Sequence, residues 1–103
     1  MAIVQSTNLQ TIDSFLANST FIVTNNSDSD MKRAKVNVGN GYELSIIRGK
    51  YSYGGDQGLY EVAVFHNNSI DYTTPLTDDV IGYCTEEDVI NYITQLADFA
   101  KQQ

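Results

Sequence analysis

The chain has 103 residues and a mass of 11.4 kDa, which is one domain's worth of sequence and too little for two separate cores. Apolar residues make up 42% and charged residues 18%, a globular composition rather than a disordered or fibrous one. Thirteen acidic against six basic side chains give a formal charge of −7, which excludes a uniformly basic nucleic-acid binder.

In chain order, residues 6–17 read as a short helix: Ser6 or Thr7 can cap it, Leu9, Ile12, Phe15 and Leu16 share a stripe, and Asn18 can end it. Phe21 to Thr24 reads as a strand, and the polar run Asn25 to Asp30 as an exposed loop. Ala34, Val36 and Val38 alternate with Arg33, Lys35 and Asn37, and Tyr42, Leu44 and Ile46 alternate with Glu43 and Ser45. Period-two alternation on both sides of Gly39-Asn40-Gly41 predicts a β-hairpin whose basic side chains face away from the core. A glycine-rich loop, Tyr51 to Gly58, leads into a strand from Leu59 to His66, apolar on both faces and so expected to be central. Asn67-Asn68 turns the chain into a strand from Ser69 to Thr73, and Pro75 closes the strand region. Thr77 to Ile81 can form one helical turn, broken by Gly82. Thr85 followed by Glu86, Glu87 and Asp88 is a helix start, and Val89, Tyr92, Ile93, Leu96, Phe99 and Ala100 keep helical spacing over about four turns. The sum is one α+β domain over residues 1–103: an antiparallel β-meander of four to five strands, a C-terminal helix packed on one face, and a short N-terminal helix.

No apolar run approaches the roughly 20 residues of a membrane-spanning helix, and the N-terminus lacks the pattern of a signal peptide. With one cysteine, Cys84, no intramolecular disulfide can form, so a reducing compartment is expected. Cys84 and the lone His66 are the only strong nucleophile or metal candidates. They do not show paired metal-ligand spacing, and the carboxylates after Cys84 oppose a thiolate, so neither catalysis, a metal nor another cofactor is expected.

Charge is unevenly spread. Residues 31–50 hold Lys32, Arg33, Lys35, Arg48 and Lys50 against Glu43, while Tyr51 to Ala100 contains nine carboxylates and no Lys or Arg. The acidic cluster Asp78, Asp79, Glu86, Glu87 and Asp88 is one candidate contact surface for a basic partner. The second is the loop bearing Tyr51, Tyr53 and Asp56, since Tyr with Gly and Ser builds contact surface at low entropic cost. The basic hairpin beside Tyr51 and Tyr53 could meet phosphates, but its few cations and the acidic remainder point away from nucleic acid.

Three pieces carry a resemblance: Gly41-Tyr42-Glu43-Leu44-Ser45-Ile46-Ile47; Tyr53-Gly54-Gly55 with Gly58-Leu59-Tyr60-Glu61-Val62-Ala63-Val64; and Asp79-Val80-Ile81-Gly82-Tyr83 with Thr85-Glu86-Glu87-Asp88-Val89. Across residues 41–93 the chain resembles a family of small tailed-bacteriophage proteins. The family brings no activity with it, so no functional residue transfers. The resemblance implies a phage product working in the host (bacterial) cytoplasm. The expected function is that of a non-catalytic accessory protein binding a host protein with a basic surface, such as a component of a defence or nucleic-acid-handling system. The alternatives are a minor virion or assembly component that self-associates as a homo-oligomer, and a small enzyme using Cys84 or His66.

Overall fold

The computed structural model describes residues 11–74, 76 and 80–103. Their order is α1 (Ile12–Ala17), β1 (Ile22–Asn25), β2 (Met31–Gly39), β3 (Tyr42–Gly49), a 3-10 turn (Gly55–Gln57), β4 (Tyr60–His66), β5 (Ser69–Ile70), β6 (Ile81–Cys84) and α2 (Glu86–Lys101). All six strands form one antiparallel sheet. Strands β1 to β5 follow one another as a meander, and β6 pairs with β4 at the end opposite β5. The α+β architecture is the expected one, with more strands than expected.

The hairpin β2–β3 is the spine. Val36, Leu44 and Val64 form one cross-strand row and Ala34, Ile46 and Val62 the next. Both rows face α2, which lays Val89, Ile93, Leu96 and Ala100 against them, each 1% exposed or less. Aromatic contacts close the same end, where Tyr42 stacks on His66 at 3.9 Å and meets Phe99 edge-on at 5.4 Å. The turn between β2 and β3 runs through left-handed backbone, with Asn40 at φ 54°. Its side chain donates to Ala100 O at 2.6 Å, so the turn satisfies a carbonyl in the last turn of α2. Thr85 caps α2 as expected. Its hydroxyl accepts from the Asp88 N–H at 3.1 Å, while Asp88 accepts from the Thr85 N–H at 3.0 Å, a complete capping box.

The opposite sheet face carries the rows Lys35–Ser45–Ala63 and Asn37–Glu43–Phe65, and among the described residues no element covers it. Among the described residues, strand β4 is therefore layered on one face only. Ala63 on the other is shielded by its neighbours at 8% exposure.

Four expectations need correction. The described first helix starts at Ile12 with Thr11 as its cap, whereas Ser6 and Thr7 lie outside the described residues. Asn18 ends it at φ −98°, outside the left-handed region, by turning its side-chain amide onto Ser14 O at 2.9 Å. Strand β5 stops at Ile70 because Asp71 takes the N–H and hydroxyl of Thr73 on its own carboxylate and bends the chain away. Ile81 belongs to a strand rather than to a helical turn, since pairing with β4 places Ile81 across from Val62 and Cys84 across from Tyr60; Thr77, Asp78 and Asp79 lie outside the described residues.

Candidate interaction surface

The glycine-rich loop is ordered by its own backbone. Ser52 and Gly49 exchange hydrogen bonds, the Gly55 N–H donates to Ser52 O at 3.1 Å, and the Leu59 N–H donates to Gly54 O at 3.0 Å. Two outside bonds fix it in place. The Tyr53 N–H donates to Glu61 Oε1 at 2.9 Å, and the Tyr83 N–H donates to Tyr53 O at 3.2 Å. This docking needs two glycines. A β-carbon on Gly54 would stand 3.0 Å from Tyr83 Cα, and one on Gly82 would collide with the Tyr53 side chain. The loop thus lies against β6, with the base of the Tyr53 side chain over Gly82, yet the tyrosines stay largely exposed. Tyr51, Tyr53 and Tyr83 are 75%, 61% and 57% exposed.

Tyr83 holds its ring outward from a left-handed backbone, φ 57°. A bulky side chain rarely occupies that region, and an L-residue there is disfavoured by roughly 1–2 kcal/mol. Tyr83 escaped sequence reading because β6 did. The available signal was the β-branched pair Val80-Ile81 between Pro75 and the Thr85 cap, which is as consistent with a short strand as with a turn.

The expected acidic surface divides by role. Glu86 accepts the Ile12 N–H at 2.9 Å and so ties α1 to the start of α2. Asp88 is committed to the capping box. Glu87 is exposed, and Asp56 is exposed on the 3-10 turn. Asp78 and Asp79 lie outside the described residues. The docking of Tyr53-Gly54 on Gly82-Tyr83 joins the tyrosine loop to the segment that leads into Glu86, Glu87 and Asp88. The two candidate surfaces are therefore neighbours. Glu61, beneath Tyr53, adds a further carboxylate.

Cys84 is buried at the inner end of this segment, and its Sγ lies 3.5 Å from Ile81 O. Burial first, then the fields of Asp88 and Glu61, push its thiol up to about 11, so it stays protonated at neutral pH. Cys84 sits opposite Tyr60 at the start of β4 and His66 at its end, a separation of roughly 20 Å at strand rise. His66 instead stacks on Tyr42 and lies 3.8 Å from Asp71. The two do not form a nucleophilic pair. Among the described residues no three His, Cys, Asp or Glu side chains gather as metal ligands, and no helix is long and apolar enough to cross a membrane.

The basic residues of the hairpin do not form one free stripe. Arg33 reaches Asp28 at 3.5 Å, Lys35 lies 4.0 Å over the Phe65 ring, Arg48 5.0 Å over Tyr60, and Lys50 5.6 Å over Tyr51. Arg33 and Lys35 do face away from the core. Lys32 and Arg48 stand opposite one another on the other face, because each is an even number of residues from a core position. They line a groove of about 450 Å³ together with Ile12, Leu16, Asp13 and Glu86. Both signs of charge line this groove, and it makes no dedicated phosphate cradle.

No family model, curated protein or solved structure matches the chain. The phage resemblance rests on its three sequence pieces alone.

Proposed function

We propose that the chain is a non-catalytic accessory protein, phage-encoded as its sequence resemblance implies, that binds a basic surface of a host protein. The contact centres on Tyr53 and Tyr83, flanked by Tyr51, Asp56 and Glu87. One observation carries this reading. Two exposed tyrosines from separate segments are held together by a backbone hydrogen bond and side-chain-free glycines, one of them at a conformational cost, in a stretch of sequence without a cation. Strain retained at an exposed aromatic is what a contact surface needs and a solvated turn does not. Tyrosine faces accept arginine and lysine from a partner, and the carboxylates supply the complementary charge. A nucleic-acid-handling protein offers such a surface where phosphate would bind, so occupying it would compete with nucleic acid.

The test is affinity capture from bacterial lysate with four baits: wild type, a Tyr53→Ala/Tyr83→Ala double variant, Glu87→Lys, and Tyr72→Ala. Tyr72 is 46% exposed near the far end of β4 and serves as the control. A partner retained by wild type and by Tyr72→Ala, lost with the double variant, and bound more weakly by Glu87→Lys with a flatter salt dependence supports the proposal. Equal retention by all four folded baits refutes it.

A further inference from the structure

The turn between β2 and β3 lies at the end of the sheet away from Tyr53 and Tyr83, since Tyr42 faces His66 at the end of β4 whereas Cys84 faces Tyr60 at its start. Of the chain's asparagines, only Asn40 is followed by glycine. That pair is the one most prone to lose its side-chain amide, because glycine has no side chain to obstruct the reaction. The Gly41 nitrogen attacks Asn40 Cγ. The N–Cγ bond forms, the Cγ–Nδ2 bond breaks, and ammonia leaves with the Gly41 amide proton. Water then opens the cyclic imide at either carbonyl and gives aspartate or isoaspartate.

The fold restrains both reacting groups. Asn40 and Gly41 are held in left-handed backbone, at φ 54° and 81°. The Asn40 amide is turned toward α2, where it donates to Ala100 O at 2.6 Å. Gly41 is fixed from the other side. Its carbonyl accepts the Asn67 N–H at 2.9 Å, and the side chains of Asn67 and His66 fill the space into which a β-carbon would project. Ring closure draws Cγ onto the Gly41 nitrogen and Nδ2 away from Ala100 O, so the turn must release α2 before the imide can form.

Neither product restores the tie. Aspartate has no donor at neutral pH, and its charge stands beside a carbonyl at the negative end of the α2 dipole. Isoaspartate routes the backbone through an extra methylene, in a turn whose register sets Gly39 across from Tyr42. Ala100 O keeps the Gln103 N–H at 3.2 Å, so the loss falls on the junction between hairpin and helix rather than on the helix end itself. We propose that Asn40 is a self-modifying latch: each opening of the junction between the β2–β3 turn and α2 exposes Asn40 to deamidation, and deamidation keeps the junction open. The chain thereby passes one way from a tied to a looser form, with no enzyme required.

The test ages the chain in mildly alkaline buffer, native and urea-unfolded, and reads each asparagine by peptide mass spectrometry, with fragmentation that separates Asn37 from Asn40. Asn40 converts first, and at least about ten-fold more slowly in the native chain than in the unfolded one, because the native reaction waits on local opening. Ala100→Gly weakens the last turn of α2 and speeds native conversion roughly three- to five-fold. Should that variant fail to fold, Lys101→Gly, at an exposed position of the same turn, has the same effect. Thr85→Ala, at the opposite end of α2, leaves the rate unchanged. Asn40→Asp, which carries the side chain of the aspartate product, unfolds at a lower urea concentration than wild type with an unchanged slope. Equal native and unfolded rates overturn the proposal. So does equal acceleration by Thr85→Ala and Ala100→Gly, which assigns the reaction to global unfolding. An Asn40→Asp variant as stable as wild type also overturns it, since the nearby Lys101 would then have replaced the lost bond.

Discussion

Replacing Tyr83 by alanine and by glycine separates conformational strain from ring packing. In an ordinary strand glycine is less stable than alanine by roughly 0.5–1 kcal/mol, because the unfolded chain gains freedom. At φ 57° the sign reverses. Alanine keeps the left-handed penalty of about 1–2 kcal/mol, and glycine loses it. Subtracting the entropic term leaves Tyr83→Gly more stable than Tyr83→Ala by about 0.5–1 kcal/mol. Relative to wild type both lose the buried part of the ring. With 57% of the residue exposed, that loss is under half of a full aromatic burial, about 1 kcal/mol. Tyr83→Ala is then about 1 kcal/mol less stable than wild type, and Tyr83→Gly close to it. Urea unfolding followed by circular dichroism reads the difference as a change in midpoint at constant slope, and thermal unfolding reads it as about 2–8 °C between the two variants. Alanine equal to or better than glycine would show that the backbone at this position is unstrained in solution. The strain argument for the contact surface would then fail. With the predicted order, loss of partner binding in both variants assigns the ring to recognition.

Three further outcomes follow from single contacts. Cys84 is protonated in the fold because its pKa is raised from 9.0 to about 11; its stabilising contribution is complete below about 9 and is lost as pH rises from about 9 to about 11. Wild type therefore loses stability across that window relative to Cys84→Ala, and the native thiol reacts with iodoacetamide at pH 8 at least ten-fold more slowly than the unfolded one; a rate equal to the unfolded chain's refutes this. Asn40→Ala breaks the bond to Ala100 O and forces alanine into left-handed backbone, costing about 2 kcal/mol in denaturant unfolding, while Asn40→Gly relieves the backbone term and costs about half as much. Thr85→Ala opens the capping box of α2 and lowers unfolding stability by about 1 kcal/mol, and Thr85→Ser recovers most of it.

The parts legible in the sequence are those in which one local rule governs. Alternation around Gly39-Asn40-Gly41 sets both the hairpin and its register, because a one-residue slip would turn Val36 and Leu44 outward. Thr85 with Asp88 marks the start of α2, because both halves of the capping box lie within four residues. Strand β6 was not legible. It is four residues long and pairs with a strand some twenty residues earlier through an irregular register, so its conformation depends on a contact that no local pattern encodes. The candidate surface shows the same division. Tyr51, Tyr53 and Asp56 stand out by composition, and Glu86 to Asp88 by charge. That they adjoin depends on Tyr83 meeting Tyr53 across thirty positions.

Charge shows how much that adjacency changes. A net −7 reads as diffuse acidity, yet the fold assigns many of the charges before any partner arrives. Glu86 holds α1, Asp88 caps α2, Glu61 anchors Tyr53, and Asp71 shapes the end of β5. Asp28 accepts from the Asp30 and Met31 N–H groups, which lowers its pKa, and also meets Arg33. Lys35, Arg48 and Lys50 are similarly occupied with aromatic rings, and Arg33 with a carboxylate. Long-range attraction depends on the whole field, but short-range recognition requires groups that can exchange water for a partner without unravelling the fold. Glu87, Asp56 and the exposed tyrosines meet that condition, whereas Glu86 and Asp88 do not. Reversing Glu86 or Asp88 would therefore lower stability as well as binding, and Glu87→Lys is the variant that changes the charge of the surface while leaving the hydrogen bonds of the helix start in place.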